Sequence, residues 1–349
     1  MFPLHNPAMY KSYHKKCEHT MNFYVPNNGF TRCLHIVRIS IKISVGTLSI
    51  HYARRRRDHM SRVFTPIQQI EQTIVRRYHE QLWSPFCKAI KRYQLIQPGD
   101  RIAVCISGGK DSMLLAKMIQ MLHRHTEIPF EAVYLIMDPG YNRENRLQVE
   151  ANAQKLEIPY TLFESDIFEV ANAQDKNPCF LCARMRRGCL YRKAQELGCN
   201  KIALGHHFDD VISTTVMAMF YGGQLQAMPP RLKSQNFPGM ELIRPLYLIH
   251  EDDIIAWKKA NDLTFIQCAC RFTENTAAGH TDSKRLEVRE LIRHLKRTNP
   301  HIEENIFASI HNLQLDSIVS WKYQGKDHSY MEQFPIQDDP AADEQPKTR

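Results

Sequence analysis

The chain has 349 residues, 43% hydrophobic and 24% charged, which supplies a folded core and excludes a polar, disordered chain. Its net charge of +9 invites a nucleic-acid reading, but residues 1–59 hold ten Lys/Arg against two acids, so the near-neutral body must rely on local basic patches for any RNA contact. Ten cysteines without a convincing signal peptide suit a reducing compartment, and the apolar stretch 33–50, broken by Arg38 and Lys42, is too short to span a bilayer, so a cytoplasmic protein with no membrane partner is expected.

Residues 1–59 read as foreign to the rest of the chain. Ile39, Ile41, Ile43 and Val45 alternate with polar residues as in a lone strand without a hairpin partner, and Arg54 to Arg57 form a basic run. The segment is expected to be a disordered or non-native leader, with a basic RNA arm as the alternative. Residues 60–98 form an N-terminal helical segment. Ile67, Ile70, Ile74, Tyr78 and Leu82 recur at helical steps, and Ser84-Pro85 reads as the N-cap and first residue of a second helix.

Residues 99–272 alternate strand and helix. Strands are expected at 101–106, 130–137, 160–163, 201–204 and 242–245, and helices at 112–125, 142–156, 183–197 and 209–220. This order predicts an α/β fold, a Rossmann-like doubly wound parallel sheet with ligands at the carboxyl ends of the strands. A helical extension over 273–332 and a disordered acidic tail over 333–349 complete the expected organisation.

The strongest motif is Ser107-Gly108-Gly109-Lys110-Asp111-Ser112, between the first sheet strand and its helix. Glycines admit phosphate oxygens close to the backbone, the helix start offers free amides, Ser107 and Ser112 add hydroxyl donors and Lys110 a charge. Asp111 would repel phosphate directly and is expected to act through Mg²⁺. The spacing is not that of a Walker loop or a dinucleotide fingerprint. It resembles the pyrophosphate loop of the ATP-pyrophosphatase superfamily, whose members adenylate a carbonyl oxygen with ATP. A second block, Gly205-His206-His207-Phe208-Asp209-Asp210, follows the fourth strand, where Asp209 and Asp210 can join Asp111 around Mg²⁺ or serve as a plain acidic helix start. Expected ATP contacts are therefore Ser107 to Ser112, Gly205 and His206, and the expected catalytic residues are Lys110, Asp111, Asp209 and Asp210.

Cys179 and Cys182, just before a helix, form a chelating C-x-x-C pair, and Cys268 and Cys270 form a second cluster. Four thiolates favour zinc and three favour a [4Fe–4S] cluster with one open iron, and the sequence leaves both open. Cys87, Cys105, Cys189 and Cys199 read as small buried hydrophobes, with Cys189 also able to approach the site. Arg184, Arg186, Arg187, Arg192 and Lys193 crowd one helix, and Arg285, Arg289, Arg293, Lys296 and Arg297 stripe another. Either set is an RNA contact or a solvated face. Tyr221 before Gly222-Gly223 reads as a core aromatic, with stacking on a splayed base as the alternative.

Cys179-Phe180-Leu181-Cys182, Arg186 to Arg192, Ile202 to Asp210, Phe220 to Gly223 and Met228 to Leu232, together with the 107–112 loop, resemble the tRNA 2-thiocytidine synthase family over about residues 61–313. The resemblance implies ATP-dependent thiolation at C2 of an anticodon-loop cytidine. It also implies a tRNA substrate, a cysteine desulfurase as sulfur donor and a [4Fe–4S] cluster on Cys179, Cys182 and a third cysteine. The family's Pro-Cys-x-x-Cys-Gly element is replaced here by Gln267-Cys268-Ala269-Cys270-Arg271. Cys268 is the match by register on Phe265-Ile266, with Cys270 as alternative or fourth ligand. That departure keeps a uridine thiolase, a lysidine-type ligase and a zinc-stabilised nucleotide-binding module open as alternatives. A homodimer is carried as an expectation.

Overall fold

The structure, a computed structural model, describes residues 38–44, 47–53, 64–165, 167–168, 178–266 and 284–334. The expected leader and basic run at 54–57 fall mostly outside these residues, as do Cys268, Cys270 and the tail from 335. The chain divides into two units, residues 1–63 and 64–349. In the first, β1 (Arg38–Ser44) pairs antiparallel with β2 (Thr47–Ala53), Ser44 opposite Thr47. The expectation of a lone strand is therefore corrected: the partner strand begins after two residues, close enough to pair with it as a hairpin.

The second unit opens with α1 (Pro66–Gln72). Thr65 caps it: its hydroxyl accepts from Gln68 N at 3.3 Å, while Gln68 Oε1 accepts from Thr65 N at 3.1 Å. The chain continues through two π-helical turns, Thr73–Arg77 and His79–Trp83, directly into α2 (Ser84–Arg92). Ser84 is therefore not the N-cap expected from Ser84-Pro85. Trp83 before it is already helical, at φ −69° and ψ −47°, and makes no capping bond. Pro85 lacks an N–H, and the wider π register just upstream accommodates that missing donor without ending the helix.

From there the strands and helices alternate: β3 (Arg101–Ile106), α3 (Lys110–His125), β4 (Glu131–Asp138), α4 (Arg143–Lys155), β5 (Tyr160–Glu164), α5 (Pro178–Glu196), β6 (Lys201–Ala203) and α6 (Phe208–Gly222). A short hairpin pair, β7 (Arg231–Lys233) and β8 (Glu241–Ile243), precedes α7 (Glu251–Ala260). The sheet order is β5-β4-β3-β6-β8-β7, all parallel except β7, which the sequence did not signal. The strand order reverses between β3 and β6, which opens a crevice at their carboxyl ends.

Both faces of the sheet are covered. Along β3, Ile102, Val104 and Ile106 join one core with Phe86, Leu115, Met118 and Trp257. The alternate residues Ala103 and Cys105 join another with Tyr191 and Ala194 of α5. A third cluster sets Phe208, Ile212 and Val216 of α6 against Val288 and Ile292 of α8 (Lys284–Lys296), with Phe307 of α9 (Ile302–Ser309) beside them. The expected helical extension also contains a hairpin, β9 (Ser320–Tyr323) with β10 (Lys326–Ser329). Gln324 and Gly325 both have positive φ, the backbone of a two-residue turn matched to strand twist.

The base of the sheet is tied by a buried cation. Lys201, 2% exposed, places Nζ 2.6 Å from Asp100 Oδ2, 3.5 Å from Glu241 and 3.0 Å from the Leu95 carbonyl. Asp100 also accepts from Gln97 N and Asn200 Nδ2. Asp100→Ala strands a buried ammonium and is expected to cost about 3–5 kcal/mol of unfolding free energy in urea denaturation, a loss typical of breaking a buried pair; a change below about 1 kcal/mol would mean that the pair is not the tie described.

Candidate active site

The 107–112 loop leaves β3 and turns into α3. Gly108 has φ +84°, and a Cβ there would meet Val149 Cγ2 at 2.5 Å and Ile266 Cδ1 at 2.7 Å, so the position needs glycine twice over. Gly109 is less constrained, with nothing nearer than 3.7 Å to an added Cβ. It is the N-cap of α3 and supplies no side-chain cap, which leaves first-turn amides for a ligand. Ser112 Oγ organises the turn: it accepts from Ser107 N at 3.1 Å and donates to Gly109 O at 2.9 Å. Tyr141, placed by an Asp138 turn at the end of β4, donates its hydroxyl to Ser107 O at 3.0 Å.

Gly205, past the end of β6, lies against this loop. A Cβ at Gly205 would stand 3.0 Å from Asp111 C and Ser112 N, both backbone atoms. The two blocks singled out in the sequence are thus in backbone contact at the strand-order reversal. Around that contact the charges alternate. Lys110 Nζ lies 2.8 Å from Glu251 Oε1 and 3.1 Å from Asp111 Oδ1. Arg289 on α8 bridges Glu251 at 3.1 Å and Asp210 at 3.0 Å. Asp209 accepts from Glu251 N at 2.7 Å.

The buried ring of His207 stands at the centre, 3.5 Å from Asp209, 3.5 Å from Asp210 and 4.0 Å from Asp111. Burial alone would lower its pKa, but Asp209, Asp210 and Asp111 raise it above 6.5. Burial would raise Asp209, yet His207 and the Glu251 amide hold it at about 2. For Asp111 burial wins: its carboxyl is pushed above 3.8 despite His207 and Lys110. A cavity of about 190 Å³ opens beside Asp209, Glu251 and Arg289.

Comparisons with known proteins agree with this geometry. Residues 75–275 match the PP-loop domain. The chain is 36% identical over 231 residues to the tRNA-cytidine(32) 2-sulfurtransferase of Neisseria meningitidis serogroup C, covering 64% of this chain and 69% of that one. It is 34% identical over 230 residues to that of Citrifermentans bemidjiense, covering 65% and 88%. The chain belongs to the tRNA-cytidine 2-sulfurtransferase family of PP-loop proteins. Its fold is also that of the U34-tRNA thiolase NcsA from Methanococcus maripaludis, solved with its [4Fe-4S] cluster, at a TM-score of 0.53, 20% identity and coverage of 73% and 88%.

As a member of that family, the chain has cysteines whose placement matters. Positions 179 and 182 lie within α5, whose start at Pro178 is earlier than expected, instead of in a loop before it; proline is well placed in a first helical turn. The side chain of Cys179 is outside the described ones, and Cys182 is half-buried. Ile266, two residues before Cys268, packs on Gly108. Cys105 is buried with its thiol pushed up to about 12 by burial and then by Cys199, and burial raises Cys199 and Cys87 as well, which leaves these three as protonated thiols. Among the described residues no group of three His, Cys, Asp or Glu converges on an ion-sized gap. Asp209 and Asp210 turn instead to His207, Arg289 and Glu251 N.

Four site residues lie outside the sequence-based expectations. Glu251 and His207 carry no assigned role there, Tyr141 falls in a loop, and Arg289 belongs to a basic stripe although it faces the carboxylates. The Glu251-Asp252-Asp253 helix start is the visible signal for the first. Tyr221 is exposed, not core, with Lys284 Nζ 4.8 Å from its ring centre.

Two outcomes are expected. Gly205→Ala must push Cβ into the loop backbone, with a loss of about 1–3 kcal/mol in stability and a weaker ATP affinity by calorimetry; an unchanged affinity would deny that the contact sets the loop. The imidazolium of His207 contributes stability that is complete below pH 6.5 and is lost as pH rises through its raised folded-state value. Nucleotide-free protein should therefore lose unfolding free energy above that pH, and His207→Gln should flatten this decline; a parallel decline in the variant would assign it to another group.

Proposed function

We propose that this chain is an ATP-dependent tRNA thiolase acting at C2 of an anticodon-loop cytidine. The observation that carries the reading is the backbone contact of the PP-loop with Gly205 at the sheet's reversal point, on a chain of the 2-sulfurtransferase family. In this reading the first-turn amides of α3, with Ser107 and Ser112, bind the ATP phosphates. Lys110 leaves its carboxylate partners to neutralise charge on departing pyrophosphate. The base carbonyl oxygen attacks the α-phosphorus, pyrophosphate leaves, and a sulfur nucleophile then displaces AMP from C2.

Asp111 suits magnesium, because its carboxyl is buried and gains from a nearby cation, and Mg²⁺ typically takes one or two carboxylates plus substrate phosphates. Asp209 and Asp210, held by His207, Arg289 and Glu251 N, serve instead to fix the α6 start. For the iron–sulfur cluster, the chemistry of the donors fits: Cys182 is half-buried on α5, Cys179 is one turn earlier, and Cys268 follows by two residues Ile266, which packs on Gly108. A [4Fe–4S] cluster bound there would offer an open iron for sulfur. Cys179, Cys182 and Cys268 are the proposed ligands, with Cys270 as the alternative third or a fourth. A reducing cytoplasm, a cysteine desulfurase as donor and a homodimer complete the proposal.

The test combines oxygen-free purification, iron and sulfide analysis, and nucleoside analysis of tRNA after incubation with ATP and a sulfur source. Cys182→Ala is expected to lose iron and thiolation and keep ATP affinity within about twofold. Asp111→Asn should keep iron and lose about 10²–10³ in tRNA-dependent pyrophosphate release. Thiolation by the Cys182→Ala protein, or one colourless zinc per wild-type chain, would overturn the cluster assignment. Modification of a base other than cytidine would overturn the substrate.

A further inference from the structure

A second cation stands across the crevice from the PP-loop, and nothing in the proposed mechanism uses it. Arg244 follows the last residue of β8 and is only 6% exposed. Its Nη1 donates to the Pro229 carbonyl, while its Nε is buried without a hydrogen-bond partner. Among the described residues it forms no ion pair; the buried Lys201 and the half-buried Arg289, by contrast, each meet two carboxylates.

The neighbouring strand brings a second unpartnered polar group to the same place. Ala203 of β6 is in register with Ile243 of β8, and Leu204 N donates to Ile243 O at 3.0 Å. His206 therefore emerges beside Arg244 at the carboxyl ends of two paired strands. Its Nδ1 is buried and has no hydrogen-bond partner. Arg187 of α5 is exposed and close enough to act electrostatically on both. It lies five residues beyond Cys182, about 7.5 Å along the helix.

Negative charge within reach is already committed. Asp210 is the acid that acts on both His206 and Arg244, but its Oδ1 binds Arg289 and its Oδ2 accepts from His207 N at 3.3 Å. Burial first, and Arg244 next, hold His206 down at about 4, so the ring is neutral and keeps one N–H to donate. Burial, then Arg187, bring Arg244 down to about 10, the mark of a cation in want of an anion. A guanidinium's planar fork suits phosphate oxygens better than any other common anion of a nucleotide or RNA.

We propose that Arg244, His206 and Arg187 form a second phosphate subsite, filled by a phosphate that the substrates bring into the crevice. β8 is two strands from β3, so the subsite lies about 10 Å across the sheet from the PP-loop. That separation makes it distinct from the pyrophosphate cradle. Two sources share the chemistry: the phosphate of AMP, and an RNA backbone phosphate flanking the target base. The inference rests on the proposed function, because it takes ATP and RNA as the molecules present.

The test measures affinity for AMP and for an unmodified anticodon stem-loop RNA, using the anaerobically purified protein and its Arg244→Gln and His206→Gln variants. Arg244→Gln is expected to lose tenfold or more for one of the two probes, with Arg244→Lys partly restoring it. A loss confined to AMP assigns the subsite to the nucleotide. A loss confined to RNA, with the salt slope of binding reduced by about one, assigns it to the backbone. Arg244→Gln also removes the tie to Pro229; should it unfold early, Arg187→Gln and His206→Gln decide by the same readings. Wild-type binding with every variant unchanged overturns the subsite alone. A wild-type protein that binds neither probe overturns the functional reading and the subsite with it.

Discussion

The close approach of Gly205 to the backbone of Asp111 and Ser112 is the constraint on which the site depends. It exists because β3 and β6, far apart in sequence, are parallel neighbours at the one place where the strand order reverses. Their loops must then share a crevice too narrow for a Cβ between them. Everything polar derives from that proximity: a loop that leaves helix amides open on one side, and a helix start crowded with carboxylates on the other. Low dielectric in such a crevice strengthens both attraction and the cost of any unpaired group, so the charges have to alternate. Lys110, Glu251, Arg289, Asp210 and His207 do so in an unbroken chain.

That chain joins parts of the sequence that no local reading connects. Glu251 opens α7, and Arg289 lies on α8, beyond the stretch that holds Cys268 and Cys270. The C-terminal extension is therefore a wall of the PP-loop site and not an appendage to it. Val288 and Ile292 pack on α6, which fixes the face that α8 presents and turns Arg289 inward. In the proposed reading, Lys110 exchanges Glu251 and Asp111 for phosphate when nucleotide arrives. The carboxylates it leaves remain paired with Arg289 and His207, so the exchange does not leave a bare charge behind.

The sheet and the PP-loop were legible because their signals are local. Buried strands are short apolar runs, and a strand followed by two glycines, a lysine and a hydroxyl at a helix start has few other uses. Arg289 was not legible, since a basic stripe has the same periodicity whether it faces solvent or a carboxylate; the partner, 38 residues away, decides. Ser84-Pro85 failed for a different reason. A cap signal competes with the continuity of the chain, and the π turns before Ser84 let the helix run on through it. The β9–β10 hairpin carried a glycine turn at Gln324-Gly325, but its strands are largely polar and exposed, with no alternation to reveal them.

The contrast between two arginines bears on how the crevice divides. Arg289 is half-buried and ion-paired with two carboxylates, so the β3–β6 side is close to neutral before any ligand binds. Arg244 is more deeply buried and has a carbonyl where its neighbour has acids, so the β6–β8 side carries excess positive charge. Burying a guanidinium without a carboxylate partner is costly. A crevice that is neutral at one end and positive at the other favours a ligand with two separated anionic groups over one with a single compact charge. In the proposed reaction, ATP meeting a base within an RNA strand has that distribution: pyrophosphate leaves toward the PP-loop as the adenylate forms, while another phosphate remains behind.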